Sequence, residues 1–404
     1  MARSGCDRGI ACRDAAGACP ESTMPGTVAG PDPECRRRGT DPVTARSRIA
    51  LRWALGGLAV HLLIAVTFLA RYDFNPQFFV HFGENGSVMG LARTVFGSDL
   101  LVPHVDGQDG QAFWVLARDP LLLHGTTVIA PNLDRPGYRA QRVAYPALAA
   151  PWRLGGEYSL LWGLLVTNLI VVFVGGFVAV LLALDLGAPV RAGLAFALSP
   201  AVMLSTILDV ADALALAALL AALLALRRDR PAWGVGAATL AVLAKEVTLL
   251  GVAGAALLSP SLPSRTRWKL VGVPTAAMLG WGIYARWRLG WPPADVQEFG
   301  FPLYGYLDAY RRGWLPVGNW ADAVIAFALI PIGVLVIARW WSRRSLLLSA
   351  AVPFVLFVPF LSAQVLDLLF NSLRVIGPAV TLLWLDMYVP AAARTVSDTN
   401  RTEA

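Results

Sequence analysis

Cysteine is scarce in this 404-residue chain and is confined to its first 35 residues. The four cysteines are Cys6, Cys12, Cys19 and Cys35. Their spacing matches no zinc pattern, and no histidine lies nearby. Because no apolar block contains a cysteine, disulfide bonds are excluded as a support of the fold. Residues 1–50 are rich in Gly, Pro, Arg and Asp, so they are predicted to be a disordered tail.

Charged residues are also few, at 15% of the chain against 56% hydrophobic residues. A soluble domain usually carries about a quarter charged residues. Here the apolar residues gather in blocks of roughly 18 to 28, which is the length of a bilayer span. The net charge is +7, and Lys and Arg fall at the ends of the blocks. This positive-inside pattern indicates a lipid bilayer as partner and sets nucleic acid aside.

The apolar blocks predict an all-α integral membrane protein of about ten membrane-embedded helices, within a membrane domain of residues 51–390. The first span, 51–70, follows a run of arginines that places the N-terminus in the cytoplasm. It is too long for the core of a cleaved signal peptide. Further spans are predicted at 159–184, 191–207, 212–226, 270–286, 322–341, 346–363 and 373–390. The tail 391–404 is then cytoplasmic.

Residues 232–258 form a block of about 40 Å as a helix, too long for one straight crossing and too short for two. Lys245 and Glu246 lie in its middle. Basic turns on both sides favour two short helices that form a re-entrant-like hairpin, with these two residues near its apex. A charge at mid-depth costs a few kcal/mol, so it usually faces a cavity or a partner. The alternative is a simple pairing with helix ends.

Two loops on the extracytoplasmic side remain, at 71–157 and 287–320. The second is crowded with aromatic residues, which is typical of a membrane interface. The first contains two successive boxes, Asp106-Gly107-Gln108 and Asp109-Gly110-Gln111. It continues with Ala117-Arg118-Asp119-Pro120 and with the run from Asp134 to Pro146.

These motifs resemble bacterial polytopic proteins of the glycosyltransferase C superfamily, which act in cell-surface glycopolymer assembly. Two shorter matches are Leu243-Ala244-Lys245-Glu246 and Asn371-Ser372-Leu373-Arg374. The resemblance covers about residues 70–390, and the first loop is its specific part. It implies a glycosyltransferase C-like fold in the inner (plasma) membrane. It also implies inverting transfer of a hexosyl or pentosyl group from a polyprenyl-phosphate donor to a glycan, lipid or protein acceptor outside.

The implied chemistry requires a carboxylate to take the proton of the acceptor hydroxyl. Asp109 is the first choice for this base, and Gly110 would let the backbone approach the sugar. Asp73, just beyond the first span, is the second choice, and Asp106 is the third. Asp-Gly is also a common turn dipeptide, so a purely structural role for both boxes stays open.

The same chemistry requires cations that hold the donor phosphate. Arg139 and Arg142 are three residues apart, so on a helix they share a face and either grip a phosphate or bind lipid headgroups. Arg374 is a further phosphate candidate or a residue that snorkels to the interface. Asp212 is interpreted as a helix cap. The remaining predicted substrate-binding residues are Gln111, Asp134, Lys245 and Glu246.

Histidine is rare, and no two histidines have the spacing of metal ligands. The four are His61, His81, His104 and His124. No histidine-based metal site is predicted, and a divalent cation held by Asp109 and phosphate oxygens stays open. The alternative function is a non-enzymatic transporter, flippase or scaffold for lipid-linked glycans. A transporter spreads its charges along a path through the membrane, whereas this chain concentrates them at one face, which favours an enzyme.

Overall fold

Helices account for the regular structure in the residues that the computed structural model describes, which are 42–103, 105–291, 300–314, 318 and 320–390. The predicted all-α class is therefore confirmed for this part of the chain. Helix α1 begins at Pro42, so the prediction of a disordered tail over residues 1–50 is wrong for residues 42–50, which are helical. The predictions for residues 1–41 and for the tail 391–404 lie outside the described residues.

The helices fall into a first long helix, a group in the first loop, and the helices of the remaining chain. The first is α1, Pro42–Arg71. The loop contains α2 Gln77–Val80, α3 Met89–Phe96, α4 Asp109–Arg118, α5 Pro136–Arg139 and α6 Ala144–Ala149. Then follow α7 Glu157–Asp185, α8 Leu194–Ala197, α9 Pro200–Leu208, α10 Asp212–Arg227, α11 Pro231–Ala244, α12 Thr248–Leu258, α13 Ser264–Arg288, α14 Tyr304–Ala309, α15 Trp320–Arg343, α16 Leu346–Phe357, α17 Ala363–Leu366 and α18 Leu369–Met387.

Three helices of the described chain are long and apolar enough to cross a membrane. They comprise Thr44–Arg71, Glu157–Asp185 and Trp320–Arg343, with mean hydropathies of 2.0, 2.6 and 2.5. Helices α8 and α9 meet at a bend of 41° and make a fourth span if they are counted together. The helices α11, α12 and α16 are apolar but shorter. The number of ten embedded helices therefore remains a prediction.

The bend between α8 and α9 has a local cause in the sequence. Pro200 begins α9, and the preceding Ser199 has φ −63° and ψ 129°, which is extended backbone. Proline disfavours helical backbone in the residue before it, so the helix must break there. The prediction of one continuous span at 191–207 missed this break.

The block 232–258 is divided into two short helices, as predicted. Helix α11 ends at Ala244, Lys245 is extended with φ −156° and ψ 115°, and α12 starts at Thr248. Helix α11 packs along α10 and α13, whereas α12 packs against α16 and α13. The two short helices thus share α13 and differ in their other main partner, and their return to one face of the membrane stays a prediction.

Buried aromatic side chains pack within the first loop, and the backbone of its helix α4 lies against α9. Trp114 of α4 is fully buried and packs edge-on against Phe82 at a ring distance of 5.2 Å. A Cβ atom on Gly110 would lie 2.5 Å from the carbonyl oxygen of Leu208 and 2.9 Å from that of Val80. Gly110 therefore allows α4 to pack closely against the backbone of Leu208 and Val80. This packing, and not the predicted approach of the backbone to a sugar, accounts for the glycine.

The aromatic outer loop is described at 287–291, 300–314, 318 and 320. Trp314 is fully buried and lies edge-on to Tyr306, with ring centroids 6.3 Å apart. Phe301 and Trp320 are exposed. This loop therefore combines a packed aromatic pair with exposed rings of the kind that favour an interface.

Candidate functional site

Asp109 is the first residue of α4 and the centre of a group of arginines. The preceding Gln108 is extended, so the chain turns into the helix at this position. One oxygen of Asp109 accepts a hydrogen bond from Arg139, and Oδ2 accepts one from Arg374 Nη2 at 2.7 Å. Nη1 of Arg142 lies 3.7 Å from the same Oδ2. Three guanidinium groups thus surround one carboxylate.

These arginines decide the charge state of Asp109. Burial raises the pKa of this carboxyl, but the positive charges of Arg139, Arg374 and Arg142 outweigh burial and hold the pKa well below its usual range. Asp109 is therefore ionised at neutral pH. While it remains paired in this way, it is a weak proton acceptor.

Asp134 holds Arg139 from its other side. Its Oδ1 accepts from Arg139 Nε at 3.1 Å and its Oδ2 accepts from Nη2 at 3.2 Å, which is a two-pronged contact. Burial raises the pKa of Asp134, but the hydrogen bonds and charges of Arg139 and Arg135 have the larger effect. The pKa of this carboxyl is therefore lowered from its ordinary value. Asp134 does not line the cavity described below. The position of Asp134 suits a residue that orients Arg139, and it does not suit one that contacts a ligand in the cavity.

Arg142 is held by Glu246 in the same two-pronged way. Its Nη2 donates to Oε1 at 2.8 Å and its Nε donates to Oε2 at 3.0 Å. Arg142 also donates to the hydroxyl of Tyr138, whose ring centroid lies 4.4 Å from the guanidinium carbon. A contact of this kind is a favourable cation–π interaction. Tyr138 is part of the loop motif, but no role was predicted for it.

Asp212 is the main residue of the site that was not predicted from the sequence. Its Oδ2 accepts from Arg374 Nε at 2.8 Å, and its Oδ1 is paired with Lys245. Asp212 is 5% exposed and is the first residue of α10, which has Ala211 at its cap position and no side-chain cap hydrogen bond, so the interpretation of Asp212 as a helix cap is wrong. The sequence signal for a buried partner was a carboxylate at the start of an apolar block. A solvated helix end shows the same pattern, so the signal did not distinguish the two. Two cations from distant segments make the burial tolerable.

One cavity of about 330 Å³ lies among these groups. Its charged lining is Asp106, Asp109, Arg135, Arg139, Arg142, Lys245, Glu246 and Arg374. These are five cations and three carboxylates, so the surface that a ligand meets is net positive. Much of the remaining lining is apolar and comprises Val247, Phe357, Leu361, Val365, Leu368 and Val375.

Most of the predicted site residues therefore meet in one place, although they come from separate parts of the sequence. Asp109, Arg139, Arg142, Lys245, Glu246 and Arg374 all line the cavity. Asp73 does not, because it lies in the exposed turn after α1 with φ 53°. Gln111 does not either, since its Oε1 accepts from the backbone of Gly83 at 3.4 Å.

The two neighbouring boxes differ clearly in their surroundings. Asp106 is exposed at the rim of the cavity, and no residue of the described chain forms an ion pair with it. Asp109 is largely buried and is paired with arginines. The structure thus separates two aspartates that the sequence treats almost alike.

In the ranges that the structure covers, no three His, Cys, Asp or Glu side chains are grouped closely enough to hold a metal ion. His61 is buried and bonds to the Thr206 hydroxyl at 2.7 Å and the Ala197 carbonyl at 2.8 Å, so it joins α1 to α8 and α9. His104 lies outside the described residues.

Comparison of the chain with family models, curated proteins and solved structures finds no match. Function therefore has to be argued from the geometry and chemistry of the cavity.

Proposed function

We propose that the chain is a membrane glycosyltransferase of the glycosyltransferase C type, which transfers a sugar from a polyprenyl-phosphate donor to an envelope acceptor. The supporting observation is the convergence of a carboxylate, several guanidinium groups and a lysine on one cavity that also has an apolar wall. The contributing segments are far apart in the sequence, so the arrangement is a product of the fold.

The cations suit the phosphate of the donor. Arg139, Arg142 and Arg374 carry planar groups that match phosphate oxygens in charge and in geometry. When the bond between the anomeric carbon and the phosphate oxygen breaks, negative charge develops on the leaving phosphate. Fixed cations beside that oxygen stabilise the transition state more than the ground state.

The apolar wall suits the first part of a prenyl chain. Leu361 and Val365 are buried, and Leu368 is 46% exposed. Each methylene that leaves water contributes about 0.8 kcal/mol to binding. An amphipathic cavity of this kind fits a phosphate carried by a lipid better than a freely soluble sugar phosphate.

The transfer step is a single displacement. The acceptor oxygen attacks the anomeric carbon on the face opposite the phosphate, the carbon–oxygen bond to the phosphate breaks, and Asp109 takes the proton of the acceptor hydroxyl. The polyprenyl phosphate leaves with the electron pair and the configuration at the anomeric carbon is inverted. Lys245 and Arg374 lie among the cations that face the phosphate.

The experiment is a transfer assay with purified protein in nanodiscs, polyprenyl-phosphate-linked hexoses and pentoses that carry a radiolabel, and an envelope extract as acceptor. We expect transfer by the wild type, and a rate lower by a factor of about 10² to 10⁴ in Asp109→Asn. Asn keeps the shape, and Asp134 and Asp212 still hold Arg139 and Arg374.

The matched control is Asp106→Asn, which removes the same charge from the same loop. Its rate should stay within about threefold of the wild type, because Asp106 is exposed and unpaired in the described chain. Equal, mild losses in both variants would mean that Asp109 is not the base. Failure of the wild type to transfer any of the donor sugars would contradict the proposed function.

A further inference from the structure

The arginines that line the cavity form ion pairs with carboxylates, and these pairs limit where a phosphate can bind. Arg374 is paired with Asp212 and Asp109, and Arg139 with Asp134 and Asp109. Asp109 is the carboxylate that these pairings share. A negatively charged ligand therefore meets arginines whose hydrogen-bond donors are already in use.

The carboxylates differ in whether a ligand in the cavity can take their place on the arginines. Asp212 and Asp134 do not line the cavity, so a ligand in the cavity does not reach the sides of Arg374 and Arg139 that they hold. Glu246 lines the cavity, but both of its oxygens are bound by Arg142 alone. Asp109 lines the cavity and contacts several arginines at once.

We propose that the Asp109 carboxylate occupies the position that a ligand phosphate takes, so that phosphate and Asp109 compete for the same guanidinium groups. Loss of Asp109 leaves Arg139, Arg142 and Arg374 each held by another carboxylate, with donors directed at one vacated point. A phosphate oxygen uses the same donors as a carboxylate oxygen. The inference deepens the proposed function, on which it rests for the identity of the donor.

The competition links donor binding to base strength. Once phosphate has taken the guanidinium groups, Asp109 loses the positive charges that make it a weak base. It then becomes a stronger proton acceptor beside the acceptor hydroxyl. Asp109 is thus kept inactive until the donor is in place, and the cost is a weaker apparent affinity for the donor.

The test is the affinity of the full-length protein for phosphate compounds, which requires no sugar transfer. Wild type, Asp109→Asn and Glu84→Gln are compared by calorimetry, since Glu84 is an exposed carboxylate of the same loop that does not line the cavity. One arm uses polyprenyl phosphate in phosphatidylcholine nanodiscs, and the other uses inorganic phosphate with the protein in neutral detergent. We expect Asp109→Asn to bind polyprenyl phosphate about tenfold more tightly, the effect of one competing charge-assisted contact.

Glu84→Gln is the control for electrostatics in general, and it should change the affinity less than about twofold. Tightening in Asp109→Asn for polyprenyl phosphate alone assigns the position to a lipid headgroup. Tightening for inorganic phosphate as well assigns it to phosphate in general. Unchanged or weaker binding in Asp109→Asn, equal tightening in both variants, or no phosphate binding by any form would overturn the proposal.

Asp109→Ser provides a second route if Asp109→Asn does not fold, since its shorter side chain leaves the position open. The outcome also separates the two proposals. Tighter binding in the variant without sugar transfer by the wild type would contradict the glycosyltransferase function and support the competition. Transfer by the wild type without tighter binding in the variants would contradict the competition alone.

Discussion

Removal of the Asp212 carboxylate should destabilise the protein strongly, because this side chain is the deep partner of two cations. Asp212 pairs with Lys245 and bonds to Arg374 at 2.8 Å. The exposed fractions are 5% for Asp212, 8% for Lys245 and 7% for Arg374. In Asp212→Ala, Lys245 would lose its partner within the buried network.

The magnitude follows from this burial. Removing one partner of a buried ion pair typically costs about 3–5 kcal/mol, since the remaining charge is left uncompensated. An exposed pair contributes at most about 1 kcal/mol. For a chain of this size a loss of 1 kcal/mol lowers Tm by about 2 °C, so we expect a fall of about 6–10 °C.

The assay is thermal unfolding of the protein in detergent, followed by intrinsic fluorescence at one fixed heating rate. The matched control is Asp308→Ala. Asp308 pairs with Arg312 at 2.6 Å, but the Arg312 side chain is 73% exposed. This control should lower Tm by at most about 2 °C.

A double variant tests whether the buried charge is the cause. Asp212→Ala combined with Lys245→Met should recover part of the lost stability, because it removes the orphaned ammonium group. Arg374 keeps its bond to Asp109 in this variant. If Asp212→Ala lowered Tm no more than Asp308→Ala, the buried ion pairs of Asp212 would not be a source of stability.

Two further predictions concern pH and topology. The folded-state pKa of Asp109 lies below the ordinary value of 3.8, so its pairing contributes stability that is complete above that value and is lost as the pH falls through the folded-state pKa. The Tm difference between wild type and Asp109→Asn should therefore stay constant from about pH 8 to pH 5 and shrink below about pH 3.8; a difference that shrinks near neutral pH would contradict the arginine pairing. Reporter fusions after Arg230, Arg267 and Arg344 should report cytoplasm, and one within 110–150 should report the outside. An outside location after Arg267 would refute the re-entrant hairpin.

The helices were the most predictable part of the molecule. The predicted spans 159–184 and 212–226 compare with Glu157–Asp185 and Asp212–Arg227 in the structure. Apolar runs with charged ends define such helices locally, so one sequence suffices to find them. The bend at Ser199–Pro200 has a local signal as well, but the surrounding apolar run concealed it.

The residues that form the site were largely predictable from the sequence, but the ion pairs among them were not. Buried cations require partners, so a cavity or a partner was predictable for Lys245. The partner is Asp212, 33 positions away, and Arg374 reaches the same carboxylate from 162 positions away. Pairs at such separations depend on how the helices pack, which a single sequence does not specify.

A cryo-electron microscopy structure of the protein in nanodiscs with bound polyprenyl phosphate would show directly where the donor binds. We expect the phosphate in the cavity, about 3 Å from donors of Arg139, Arg142 and Arg374. We also expect that Asp109 has turned away from these arginines and that the prenyl chain runs along Leu361 and Val365. A phosphate bound elsewhere, with Asp109 still paired to Arg139 and Arg374, would contradict both the proposed donor site and the competition.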